Sequence, residues 1–230
     1  MIAPSGTDAA RTDGERAGKT GRGYGPVLLG LFLVVFVALG IDPETRSDWL
    51  LENAIVVLAV AWLVWSWWHL RLSNLSYVLL FAFGVLHEIG AHYQYSNVPY
   101  DAWFAAVSNG HSLDAIFGFE RNQYDRLIHF LYGLLITPVA AELMTARIRL
   151  RGAWLFLLPV TFMMSHALIY ELVEWAAASV FAGDLGQAYL GTQGDVWDAQ
   201  KDMWLATLGS LIAQPLWMWR RARRARGDRD

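Results

Sequence analysis

Four pairs of ionisable residues repeat at spacings that put both side chains on one face of a helix. Asp125 and His129, Glu88 and His92, and Asp198 and Asp202 lie four apart, while Glu171 and Glu174 lie three apart, so each pair projects from a single side. His87 precedes Glu88, and His166, Tyr170 and Glu174 form a stripe at intervals of four. Imidazole and carboxylate pairs on facing helices are how helical bundles hold metal ions. The same residue types serve equally in proton relays. Cysteine is absent from the 230 residues, which removes disulfides, thiolate zinc sites, iron-sulfur ligation and thiol nucleophiles. His, Asp, Glu and Tyr are left to carry any chemistry. Oxygen and imidazole donors suit zinc, manganese, magnesium or non-haem iron.

The elements that position these groups belong in a membrane. Hydrophobic residues make up 55% of the chain and charged residues 17%, with 12 tryptophans; mean hydropathy is +0.30. A soluble domain of this length does not have that balance. Six apolar stretches read as spans: Val27 to Ile41, Leu50 to Leu70, Leu75 to Ala91, Leu127 to Ala146, Trp154 to Phe181 and Met203 to Trp219. The first ends in the acidic turn IDPETRSD rather than a small-residue cleavage site, so it reads as a span and not as a signal peptide. Trp65, Trp67 and Trp68 beside Arg71 have the composition of an interfacial belt. The expected fold is therefore all-α, a polytopic transmembrane bundle of about six spans occupying residues 25–220. A disordered tail of residues 1–24 precedes it and a basic tail of residues 221–230 follows it.

Lys and Arg set the expected orientation. With six spans, the N-terminal tail, Arg71, the Arg147, Arg149 and Arg151 loop and the C-terminal arginines all fall on one side, which makes both termini cytoplasmic. The other side receives IDPETRSD, the long Tyr93 to Tyr124 loop with its Asn109-Gly110 turn signal, and the Asp184 to Ala199 loop. In that topology all four polar groups sit in the outer third of the bilayer, at a rise of roughly 1.5 Å per residue. An ionised carboxylate at mid-membrane costs about 2.5–3.5 kcal/mol on insertion scales. Seven carboxylates there (Glu88, Asp125, Glu171, Glu174, Asp195, Asp198 and Asp202) face three fixed cations (Arg121, Arg126 and Lys201), a surplus of four negative charges. Bound divalent metal, protons or water must make up the difference.

Several motifs admit a plainer reading. HEIGAH resembles the metalloprotease helix H-E-x-x-H, but His87 and His92 are five apart, about 140° round an ideal helix. The zincin reading therefore fails unless Gly90 breaks the helix. Asp125 also reads as a helix N-terminal acid orienting a structural histidine. Asp195 reads as a turn former and Asp198 as an N-cap. Glu142, near Arg147 and Arg149, reads as a local ion pair. RRARRAR directly after a span reads as a topology signal and anionic-lipid contact rather than nucleic-acid binding.

Taken together, HEIGAHYQYSNVP, RNQYDRLIHF, YELVEW and LGTQGDVWDAQKDM resemble the YjdF-like family of uncharacterised bacterial inner-membrane proteins, over nearly all of the chain after its first tail. The resemblance implies a multi-pass protein of the bacterial inner membrane and supplies no reaction. DRLIHF, with Glu142 further along, is also similar to the D-K-x-x-H-F signature of VanZ-like membrane proteins, with Arg126 in place of lysine.

These readings lead to a membrane-embedded site opening to the periplasm. The metal candidates are His87, His92, His129, Glu171, Glu174, Asp198 and Asp202. Asp125, His129, Glu171 and Glu174 are the candidate catalytic groups, and Arg121 and Arg126 would hold a substrate anion. Hydrolysis or transfer on a lipid-linked or phosphate-bearing substrate is the chemistry expected, with membrane lipids as partners. A transporter or proton pathway and a structural assembly protein are the alternatives, and the paucity of polar groups in the inner half (Glu142, Thr137, Ser66) weighs against the first of these.

Overall fold

The computed structural model describes residues 23–181 and 192–227. Among the described residues eight helices follow one another: α1 (Tyr24–Leu39), α2 (Arg46–Ser66), α3 (Asn74–His92), α4 (Tyr100–Val107), α5 (Leu113–Phe117), α6 (Tyr124–Arg147), α7 (Ala153–Phe181) and α8 (Asp198–Gly227). No strand occurs among the described residues. The expectations for residues 1–22, for 182–191 of the last loop and for 228–230 lie outside them.

The molecule is apolar outside and polar within. Val34, Leu58 and Val180 are 68%, 70% and 78% exposed, while Thr137, Ser210 and Gln214 are fully buried. In water this would be costly; against lipid it is the expected arrangement, since backbone polar groups are satisfied inside helices and side-chain polar groups between them. Among the described residues four helices, α2, α3, α6 and α7, are long and apolar enough to cross a membrane. The helix α1 is apolar but only 16 residues long, about 24 Å at 1.5 Å per residue. The helix α8 is not among the four: between Asp202 and Arg220 it carries no charged residue, but Thr207, Ser210, Gln214, Pro215 and its tryptophans keep that stretch less apolar than those four, and the helix continues through its arginines to Gly227. The basic segment expected as a tail is thus largely the last turns of a helix.

The six long helices alternate in direction, and contacts at one end show it. Glu44 N, in the turn between α1 and α2, bonds His92 O at the end of α3 at 2.9 Å. The start of α6 meets the end of α3, where the Tyr124 hydroxyl donates to Leu86 O at 2.8 Å. At the opposite end of the same two helices, Glu142 of α6 accepts from Ser73 N (2.6 Å), from the Ser73 hydroxyl (2.8 Å) and from the Ser76 hydroxyl. A carboxylate at a helix N-terminus meets unpaired N–H groups and the positive end of the dipole. The local pairing expected for Glu142 with Arg147 or Arg149 is therefore corrected: its partners lie across the helix interface. These hydrogen bonds, one at one end and three at the other, fix the register of α3 on α6.

The tightest packing in the bundle joins α6 to α8. A Cβ added at Gly133 would overlap the Ala206 carbonyl oxygen, and one at Gly209 would overlap Phe130 O. The two backbones touch there, as small residues permit in membrane helices. Ser210 and Thr137, buried beside this crossing, donate to Ala206 O (2.8 Å) and Gly133 O (2.5 Å) of their own helices. The Tyr93 to Tyr124 segment, expected as a loop, contains α4 and α5, and its Val98 packs on Tyr124 and Ile128.

Candidate functional site

Asp125 lies in the first turn of α6 and His129 one turn deeper, as their spacing predicts. His129 Nε2 is 3.6 Å from Asp125 Oδ1 and 3.7 Å from Glu171 Oε1 of α7. Asp202 of α8 completes the group: one ligand atom each from Asp125, His129 and Asp202 lies within 4.8 Å of the others. The Gly133–Gly209 crossing brings α8 this close, one turn below His129. Glu171 Oε1 and Asp202 Oδ1 are buried and have no hydrogen-bond partner among the described residues. Glu174 lies within electrostatic reach of Glu171, Glu52, Asp125 and Asp202. A hard or borderline divalent ion has here one imidazole and several carboxylate oxygens to choose from.

A second tier of charge lies toward the helix ends. Arg121 Nη1 donates to Asp198 Oδ1 (2.7 Å) and Thr192 O (2.9 Å). Arg126 Nη2 pairs with Asp195 and lies 3.4 Å from Asp198 Oδ1, and Lys201 Nζ is 2.5 Å from Asp195 Oδ2. The hydrogen bond from Lys201, then that from Trp197 N, then the nearby cations pull the Asp195 carboxyl down to about 2. The arginines expected to hold a substrate anion are thus occupied by two aspartates, leaving Arg126 Nε as the buried donor without a partner among the described residues. Asp198 is placed as their counter-ion rather than in the His129 group.

The two histidines of HEIGAH diverge, as their five-residue separation requires. The helix runs unbroken through Gly90. His92 Nδ1 meets Leu39 O at 2.8 Å, so His92 is not brought to the His129 group. His87 Nδ1 meets the Tyr95 hydroxyl at 2.6 Å. Gln94 and Tyr95 both have positive φ, 55° and 50°, a left-handed pair costing about 1–3 kcal/mol per residue. That turn lays the Tyr95 ring over Gly90, where a Cβ would collide with it. Burial, with the charges of Glu52 and Asp125, holds the Tyr95 hydroxyl well above its ordinary pKa. It therefore donates to His87 Nδ1, which in the neutral ring leaves the proton on Nε2.

Sequence reasoning missed Glu52. It lies on α2, 6% exposed, and accepts from the Tyr170 hydroxyl at 2.9 Å; the Tyr170 ring in turn meets His129 edge-on, 5.9 Å between centroids. A carboxylate within an apolar span is itself a functional signal, and the paired spacings drew attention away from a solitary one.

A cavity of about 780 Å³ adjoins the group, bounded by α1, α2, α3, α6 and α7. Most of its wall is apolar, including Phe32, Val60, Phe83, Ile136 and Leu143, and its polar part includes His87, Tyr95, Asp125, His129 and Tyr170, with Tyr132 and His166, paired at 2.6 Å, and Tyr77 farther along.

A helical bundle with apolar outer surfaces and a His/carboxylate group buried among its helices has the build of an integral membrane protein. The chain belongs to the family described as "Predicted membrane protein (DUF2238)", whose model matches residues 25–224. It is 32% identical over 179 residues to the "Inner membrane protein YjdF" of Escherichia coli (strain K12), covering 77% of this chain and 81% of that protein. No solved structure matches. These matches and the four apolar helices make it a multi-pass protein of the bacterial inner membrane.

Proposed function

We propose that this protein is a metal-dependent hydrolase or transferase of the inner membrane, acting on a lipid-linked, phosphate-bearing substrate at the periplasmic headgroup level. In this reading all six long helices cross the membrane and both termini are cytoplasmic. Support comes from the end opposite the site, where Arg71, Arg147, Arg149, Arg151 and the arginines of α8 gather, the expected bias of a cytoplasmic face. There Arg223 stacks on Trp219 at 4.1 Å and Arg71 on Trp67 at 5.3 Å, as interfacial anchors do.

The observation that carries the proposal is the convergence of Asp125, His129 and Asp202 beside buried, unpartnered oxygens of Glu171 and Asp202, next to an apolar cavity. Asp125, His129 and Asp202, with Glu171, would hold the ion. A divalent ion there would lower the pKa of coordinated water and polarise a phosphoryl or acyl oxygen. Glu174 lies close enough to accept a proton, and Tyr170 orients His129 through ring contact. Arg126 Nε, with Arg121 behind it, offers the substrate's anionic group a donor. The cavity takes the lipid chain. A proton or cation pathway asks for polar groups through the other half of the bundle, and the cavity wall there (Leu28, Leu63, Leu143) favours an alkyl chain instead.

The test is elemental analysis of the full chain purified in detergent, paired with release of inorganic phosphate from a lipid phosphate in mixed micelles. We expect about one divalent metal per chain, falling with phosphate release in Asp125→Asn and Asp202→Asn. Less than about a tenth of an ion per chain after mild preparation overturns the reading.

A further inference from the structure

The cavity beside the His129 group is longer than one leaflet of a bilayer. Along α6 its wall includes Asp125, His129, Tyr132, Ile136, Ala140 and Leu143, a single helix face at intervals of three and four. Asp125 lies in the first turn of α6 and Leu143 one turn before its end, so this stripe runs about 27 Å at 1.5 Å per residue. The hydrocarbon core of a bilayer is about 30 Å thick, and a leaflet is about half of that. The two ends of the cavity differ. One carries Asp125 and His129; at the other Trp67 stacks on Tyr77 (5.6 Å) beneath Arg71 (5.3 Å), the composition of the opposite interface. There a Cβ added at Gly25 would collide with the Trp67 ring, so α1 and α2 close that end. Below His129 the polar groups in the wall are already engaged within the protein. The Tyr132 hydroxyl and His166 Nδ1 meet at 2.6 Å between the rings of Phe83 and Phe162, and the Tyr77 hydroxyl accepts from Leu72 N at 3.2 Å. The wall therefore asks for hydrocarbon along its length. The Tyr170–Glu52 bond ties α7 to α2 at their outer ends, and below it Trp62 and Phe162, 43% and 46% exposed, flank a side of the cavity that faces lipid.

We infer that the lipid this protein acts on is a polyisoprenoid phosphate, whose one long chain lies in the cavity from His129 to the opposite interface. The inference rests on the proposed function for the phosphate end and on the cavity for the chain. A glycerophospholipid brings two chains, each confined to its own leaflet, and so asks for a cavity half as long and twice as broad. A polyisoprenoid brings a single chain that exceeds a leaflet. With its phosphate at the Asp125, His129 and Asp202 group and near Arg126 Nε, its chain passes Tyr132 and Ile136 and ends among Leu28, Leu63 and Leu143. Moving a chain from lipid into an apolar cavity brings no hydrophobic gain. Selectivity then comes from fit, and the far end of the cavity is where a long chain and a short one differ.

The experiment is native mass spectrometry of the detergent-purified full chain, titrated in the presence of a chelator with undecaprenyl phosphate, farnesyl phosphate or dioleoyl phosphatidic acid. Chelation stops turnover, so the bound mass reports the chain alone. We expect undecaprenyl phosphate to bind saturably and about tenfold more tightly than either of the others. Leu143→Trp, which fills the far end, should weaken undecaprenyl phosphate about tenfold and leave farnesyl phosphate unchanged, because the short chain stops before it. If Leu143→Trp does not fold, Leu28→Trp, which reaches the same end from α1, takes its place, and the comparison of the three lipids on the parent decides in any case. The inference is overturned if undecaprenyl phosphate does not bind, if phosphatidic acid binds as tightly, or if the far-end variant weakens long and short chains alike or neither. Failure of the two readings is distinguishable. Long-chain selectivity in a protein that holds no metal and releases no phosphate sinks the hydrolase or transferase and leaves the lipid site; metal-dependent release from phosphatidic acid as fast as from undecaprenyl phosphate does the reverse.

Discussion

Replacing Gly133 by alanine sets two effects of known size against each other. Alanine is favoured over glycine in a helix interior by up to about 1 kcal/mol. Against that, the new Cβ would overlap Ala206 O and lie 2.8 Å from its carbonyl carbon and 2.9 Å from Ser210 N, where ordinary contact begins at 3.4 Å. The obstructing atoms are backbone, so no rotamer can relieve the clash, and α6 and α8 must part by roughly 1 Å. Overpacking costs about 1–3 kcal/mol, with backbone obstruction at the upper end, so the clash wins by about 1–2 kcal/mol. In a chain of this length that lowers Tm by about 2–4 °C per kcal/mol. Gly30 on α1 is the control, because nothing lies within 4 Å of a Cβ added there; Gly30→Ala should leave Tm unchanged or raise it. Separating the helices also draws Asp202 away from Asp125 and His129, and a 1 Å misplacement can cost about a hundredfold in function. Metal content of Gly133→Ala should therefore fall at sub-saturating metal while the protein stays folded. A Gly133→Ala protein as stable as the parent, binding metal equally well, would refute the claim that this crossing holds the site together.

Three more perturbations follow from the same geometry. Glu142→Gln keeps the shape but removes the charge that accepts from Ser73 and Ser76; we expect a loss of about 1–3 kcal/mol in denaturant or thermal unfolding, and an unchanged Tm would show that the cross-helix cap contributes nothing. Tyr95→Phe strands His87 Nδ1, and Gly90→Ala pushes the Tyr95 ring off the same position, so both should lower Tm by similar amounts, about 1–3 kcal/mol in free energy, with the double variant far from additive; additive losses would contradict the shared contact. Asp195 has its pKa lowered from 3.8 to about 2, so its charged form is favoured on folding. Its stabilisation is complete above the ordinary value and disappears as the pH falls through 2. The Tm difference between parent and Asp195→Asn should be flat at neutral pH and shrink only below about pH 4, and a difference that shrinks well above that range would place the carboxyl outside the Lys201 clamp.

What the sequence made legible was whatever depends on helix periodicity. The spacing of Asp125 and His129 on α6 and the shared depth of Glu171 and Asp202 are fixed by 3.6 residues per turn and a known rise, and the fold brings these groups together. The same periodicity correctly separated His87 from His92. Partner choice across helices was not legible. Arg121 and Arg126 stand beside Asp125 in the chain, yet their charges go to Asp195 and Asp198, some seventy residues on, because the turn before α8 folds over the start of α6. Glu142 was assigned to the arginines nearest in sequence, whereas the unpaired N-terminus of α3 lies nearer in space. Glu52 was passed over because a lone residue has no spacing, and only the Tyr170 bond shows which way it faces.

The distribution of charge argues against a purely structural account of the polar interior. Arg121, Arg126 and Lys201 all lie on the outer tier, where they neutralise Asp195 and Asp198. In the inner group Glu52, Glu88, Asp125, Glu171, Glu174 and Asp202 have no ion pair to a Lys or Arg among the described residues, and the basic side chains buried beside them are the imidazoles of His87 and His129. If these side chains served only to pack helices, apolar residues of similar volume would be as stable or more so, because buried charge rarely repays its desolvation. A cation on the inner tier in place of any one carboxylate would relieve the repulsion at once, yet α2, α3, α6, α7 and α8 each present acids or imidazoles there. Five helices leaving acids without an ion-paired Lys or Arg in one buried region is the arrangement expected when the answering charge comes from outside the chain, as a metal ion at His129 or a proton in transit.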